Sequence, residues 1–175
     1  MYFIVFVRRV ISPIYSFFIN FLYWIYNFRD LRKTINLKKE TQFESVNEVK
    51  EYMSTFVWKE DSFFDWTPWV ITILHRGKTD DCDGASVLGK WALQKLGITS
   101  IIISLWDSKN IWTGHSICLA TNPKTTTETV ILITNDRLVY LGDDIERTIA
   151  SYFDYKYDMT LYGWEITKLK KREER

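Results

Sequence analysis

This 175-residue chain holds only two cysteines, three prolines, seven glycines and two histidines. Two cysteines, Cys82 and Cys118, are too few for a disulfide scaffold and point to a reducing compartment or a reactive thiol. With so little proline and glycine, long flexible linkers are not expected. Lys+Arg 23 against Asp+Glu 22 leaves a net charge of +1, which excludes a strongly basic nucleic-acid binder by composition. What the chain has in quantity is apolar surface: 46% hydrophobic residues and 17% aromatic ones, including Trp 8, Tyr 10 and Phe 11. That supply suffices for a single domain with an appended element and excludes a disordered chain.

Charge is unevenly spread. Residues 1–40 carry seven basic and two acidic side chains, a net +5, so the remainder carries −4. Between Met1 and Phe28, 21 residues are apolar or aromatic, interrupted early by Arg8 and Arg9. The 19 residues from Val10 to Phe28 approach the length of a membrane span. Tyr23, Trp24 and Tyr26 near their end, followed by Arg29, Arg32, Lys33, Lys38 and Lys39, resemble a membrane-water boundary. Three readings follow: a membrane anchor or interfacial helix, a hydrophobic arm docked on the body or on a partner, and a secretory signal. No small-residue cleavage pattern supports the last. The expected organisation is a hydrophobic and basic segment at 1–40, one domain at 41–170 and a charged tail at 171–175, with the polar stretch Asn36 to Gln42 as linker.

Ser45-Val46-Asn47-Glu48 reads as a capping box, and Val46, Val49, Met53 and Phe56 at helical spacing predict a helix over 45–57. Trp58 to Trp69 reads as an aromatic, acidic loop. A second helix is predicted to start at Asp81 or Cys82, to bury Ala85, Leu88, Ala92 and Leu96, and to stop at Gly97. The period then changes to two, giving strands at 100–106, 112–121, 129–135 and 137–141. A helix at 143–153 and a strand at 157–169 complete the expectation. Helices followed by a run of antiparallel strands predict an α+β domain.

The stretch Gly77 to Ser86 carries the chemistry. It sets Cys82 in the first turn of a predicted helix, where unpaired N–H groups and the helix dipole favour thiolate over a thiol pKa of about 8.5. Asp81 and Asp83 oppose that, so activation calls for a partner imidazole. His115 opens a predicted strand, a rigid place to present one, whereas His75 lies in a loop without a partner motif. Asn135 or Asp136, ending the next strand, is the candidate for orienting the ring. Cys118 belongs to the core by strand parity, although a Cys82–Cys118 disulfide is compatible with the sequence. Metal readings fail. The two cysteines and two histidines match no compact zinc spacing, and a calcium-loop alignment on Gly84 puts Lys90 where a glutamate is required.

Cysteine at a helix start within Gly-x-x-x-Asp-Cys-Asp-Gly-Ala, then Gly-His on a strand, then a polar residue on the next strand, resembles the transglutaminase-like cysteine peptidase superfamily. It is most similar to its bacterial and phage transglutaminase-like cysteine proteinases, which typically show Gly-Asp-Cys-Asp-Asp-Phe-Ala at the nucleophile. The resemblance covers about residues 43 to 155. It implies a papain-like, transglutaminase-like core in which the nucleophile helix packs on an antiparallel sheet. It also implies a hydrolase, a thiol peptidase or amidase, acting on a peptide or protein amide without cofactor or metal. Cys82 takes the nucleophile's position, His115 the base's and Asn135 the orienter's, with Asp136 its competitor. The Cys82 amide would be one oxyanion donor and an upstream side chain the second, with Trp69 the candidate. Gly84 stands where an acidic residue is commoner, and Lys78-Thr79-Asp80 where glycines are. An inactive scaffold or a membrane-tethered binding protein of the same fold is the alternative. A cytoplasmic or membrane-associated, reducing location fits both.

Overall fold

A computed structural model of the chain describes residues 11–60, 67–106, 114–122 and 129–141. Along them run α1 (Ser12–Tyr26), α2 (Phe28–Glu40), α3 (Val46–Ser54), β1 (Val57–Trp58), α4 (Val70–His75), β2 (Thr79–Asp80), α5 (Cys82–Lys95), β3 (Ser100–Trp106), β4 (Gly114–Asn122), β5 (Thr129–Thr134) and β6 (Arg137–Leu141). The expected helix at 143–153, strand at 157–169 and tail lie outside the described residues, as do 61–66 of the aromatic loop.

Helix ends fall where side-chain chemistry can satisfy exposed backbone groups. Ser45 Oγ accepts from the Glu48 amide at 3.3 Å while Glu48 Oε2 accepts from the Glu44 amide at 2.9 Å, so the capping box forms with its return contact one residue earlier. Asp81 caps α5, its Oδ1 accepting from the Asp83 amide at 2.9 Å. At the far end Gly97, at φ +74°, lets the Ile98 amide reach back to Leu93 O at 3.0 Å. Gly77 closes α4 in the same way, with the Lys78 amide on Ile73 O at 2.9 Å.

The polar stretch 36–42 is helical over most of its length: α2 continues through Glu40. Leu37, Lys38, Lys39 and Glu40 are good helix formers, and the turn ends only where Thr41 Oγ1 donates to Leu37 O at 2.7 Å. Asn27 separates α1 from α2. Among the described residues no helix is long and apolar enough to cross a membrane.

The molecule mixes helices with an antiparallel sheet of order β3-β4-β5-β6, and a separate parallel pair joins β1 to β2. Helix α5 lies on the sheet. Leu88, Ala92 and Leu93 of α5 share one core with Val49 and Met53 of α3 and with Cys118, Ala120, Ile131 and Ile133 of the strands. Small residues permit this close approach: a Cβ on Gly89 would come within 2.9 Å of the Ile133 side chain. On the sheet's opposite face Ile103, Ile117, Leu119 and Leu132 are also buried.

Helix α1 packs differently. Its inward stripe is Ser16, Asn20 and Tyr23 rather than its phenylalanines. Asn20 is wholly buried; its amide donates to Ser16 O at 2.8 Å and Thr67 O at 3.0 Å, and its Oδ1 accepts from the Trp69 amide at 2.7 Å and Thr72 Oγ1 at 3.0 Å. Ser16 Oγ accepts from the Thr67 amide at 2.9 Å, and Tyr23 Oη shares a hydrogen bond of 2.7 Å with His75 Nδ1. The loop histidine of the sequence therefore has a structural partner. Burial raises the Tyr23 pKa, against a lowering by Arg76, so the phenol stays protonated.

Candidate active site

Cys82 is the first residue of α5, half-buried, in the turn capped by Asp81. That turn is fixed from behind. Asp80 is completely buried, paired to Arg76 at 2.7 Å, and its Oδ1 accepts from the Asp81 amide at 3.0 Å. The Asp80 side chain occupies the space beside Gly84, where an added Cβ would lie 2.4 Å from Asp80 Cβ. The absence of a side chain at 84 is thus what lets Asp80 pack against the helix start.

From the front, the turn is tied to the sheet. Asp83 Oδ1 accepts a hydrogen bond from Ser116 Oγ, and Asp83 Oδ2 accepts from Thr67 Oγ1 at 3.3 Å. The residue after the thiol thus touches the residue after the histidine. His115 lies at the start of β4, as expected, and its ring is partly buried. By pairing register, Ser116, Cys118 and Ala120 form the row facing α5, while His115 belongs to the row of Ile117 and Leu119.

Asn135 does not supply the contact expected of it. Nε2 of His115 lies 2.7 Å from Thr134 Oγ1, so the ring-orienting hydrogen bond on that nitrogen comes from Thr134. The reason is register. Cys118 pairs with Ile133, which sets Thr134 in the same row as Ile117 and His115. Asn135 instead forms the turn between β5 and β6, in the left-handed region at φ 49°, which asparagine tolerates. Asn135 Oδ1 is buried without a hydrogen bond, and its competitor Asp136 is exposed. An Asn-Asp pair between two β-branched runs is itself a turn signal, and reading it so would have pointed one residue back. No sequence pattern marks Asp83 and Ser116 as the tie between helix and strand, or Thr67 as a tie from the segment before α4.

Burial pulls the His115 pKa below 6.5, with the Asp83 carboxylate partly opposing it. The imidazole is therefore neutral near pH 7, the state a base requires. Cys118 lies wholly inside the core and burial pushes its thiol up to about 11, so it is an inert filler. No disulfide joins the two cysteines. The Trp69 indole packs edge-on against Phe17, with ring centres 5.9 Å apart. Among the described residues no group of three or more His, Cys, Asp or Glu side chains gathers as a metal site. Compared with protein-family models, curated proteins and solved structures, the chain matches none.

Proposed function

We propose that the chain is a cysteine peptidase or amidase of transglutaminase-like type, with Cys82 as nucleophile, His115 as base and Thr134 as the residue that orients the ring. The observation that supports this reading is the Asp83–Ser116 hydrogen bond, which ties the turn holding Cys82 to the strand end holding His115. The reading requires the ring, set by register in the row turned away from α5, to reach the sulfur around that strand end. In the tautomer with a proton on Nε2, Thr134 accepts that proton's hydrogen bond and Nδ1 is the basic nitrogen. Nδ1 takes the thiol proton, and the Cys82 sulfur attacks the acyl carbon of a peptide or protein amide. The Cys82 amide donates to the developing oxyanion. The imidazolium returns its proton to the departing amine as the C–N bond breaks and a thioester remains. Water, deprotonated by the same imidazole, then releases the acid and restores the thiol.

Alkylation by iodoacetamide across pH tests this proposal. Cys82 is expected to react with an apparent pKa below about 8.5, and His115→Ala to move that value upward. An electrophilic amide-mimicking probe is expected to label wild type and not Cys82→Ala. A thiol that titrates as an ordinary cysteine, indifferent to His115→Ala, overturns the enzyme reading. One observation favours a second reading, an inactive scaffold that binds without turnover: the ring's partner at Nε2 is an uncharged hydroxyl, not a carboxylate that would stabilise imidazolium.

A further inference from the structure

The inside-out packing of α1 leaves its apolar face uncovered among the described residues. Ile14, Phe17, Phe18, Phe21, Leu22 and Ile25 are each between 40% and 57% exposed. These residues recur at helical spacing opposite Ser16, Asn20 and Tyr23, so they form one continuous face and not scattered single exposures. The exposure is built in. Rotating α1 to bury the phenylalanines would strip Asn20 of the Thr67, Trp69 and Thr72 contacts that hold it in the interior.

A second feature says what covers this face. Along its flank the rings of Phe17, Phe21, Trp24 and Phe28 follow one another, with successive centres 6.2, 6.3 and 5.0 Å apart. The row ends with the Arg32 guanidinium 5.6 Å from the Phe28 ring centre. Arg32 belongs to α2, which carries five basic side chains against Asp30 and Glu40, with Arg29, Arg32, Lys33 and Lys39 exposed. An apolar helix face continued by aromatic rings into exposed cations has the layout of an amphipathic element at a bilayer surface. Acyl chains take the first part, the headgroup boundary the rings, and anionic phosphates the cations.

We infer that α1 and α2 form a peripheral docking surface for an anionic lipid bilayer, with α1 lying in the plane of the interface and its polar stripe holding the rest of the protein above it. The full-length chain is expected to float with vesicles of phosphatidylcholine containing phosphatidylglycerol, and several-fold less with phosphatidylcholine alone. Phe18→Ser combined with Ile25→Ser is expected to weaken binding at least about tenfold, because two large apolar side chains no longer enter the acyl region. Arg32→Glu combined with Lys33→Glu is expected to remove the preference for anionic vesicles, as is high salt in the wild type. Unchanged circular dichroism and thermal midpoints in these exposed variants exclude unfolding as the cause. Absence of flotation, or equal flotation with neutral and anionic vesicles, overturns the inference. So does a lipid-free dimer, detected by light scattering, that Phe18→Ser with Ile25→Ser dissolves, since the face then belongs to a second copy of this chain.

Discussion

Helices α1 and α5 are nearly equal in length and bury opposite kinds of side chain. Helix α5 turns Leu88, Ala92 and Leu93 inward against the sheet, whereas α1 turns Ser16 and Asn20 inward and leaves its phenylalanines outside. The first is held by area removed from water, the second by hydrogen bonds whose loss strands buried polar groups. Apolar content alone therefore does not tell which face of a helix meets the protein. The residues able to satisfy a partner's backbone decide it for α1.

The contrast is sharpest in a pair of truncations. Leu88→Ala opens a cavity at the centre of the shared core and is expected to cost about 2–5 kcal/mol, whereas Phe18→Ser on α1 is expected to change stability by no more than about 0.5 kcal/mol. Urea unfolding of both variants checks this, and similar losses would mean that the α1 face is covered in solution. Next in size is Asn20→Ala. It leaves the Trp69 amide and the Thr67 carbonyl without their side-chain partner and is expected to cost about 1–3 kcal/mol. Hydrogen exchange should localise that loss to α1 and the 67–72 segment rather than to α5.

The smallest effect is one of pH. His115 has a folded-state pKa below 6.5, so in acid the unfolded chain binds its proton more readily than the folded one. Its contribution to stability is complete above about pH 7 and is lost as pH falls through 6.5 toward the folded-state value. Replacing it in His115→Gln should flatten the wild-type loss between about pH 7 and pH 5, as read from thermal midpoints. A steeper dependence in the variant would contradict burial of a neutral imidazole.

Elements announced by local chemistry were legible in the sequence. The capping box at Ser45, the start at Cys82, the stop at Gly97 and the strands 100–106 and 137–141 each rest on a cap, a glycine or a period that needs no knowledge of distant partners. Elements defined by a partner were not. Six-residue α4 is too short to show a period, and the two-residue β1 exists because the Val57 and Lys59 amides find Lys78 O and Asp80 O, at 2.9 and 2.8 Å. The inward stripe of α1 has meaning only once the Thr67–Thr72 backbone lies against it. In the candidate site the cysteine and histidine stood out by residue type and order. Thr134 did not, because it is singled out by a register that places it, and not its neighbour Asn135, in the histidine's row.

The space behind the Cys82 turn has a consequence for any attempt to retune the thiol. Gly84 is sealed by the Asp80 side chain, itself anchored on Arg76, so installing an acid or a reporter at position 84 would evict a buried carboxylate from its ion pair with Arg76 before it changed the sulfur. Adjustment of the Cys82 thiol must come through positions 81 and 83, whose carboxylates already hold the helix start and its tie to the sheet. In this protein, reactivity at residue 82 and integrity of the turn that carries it cannot be engineered separately.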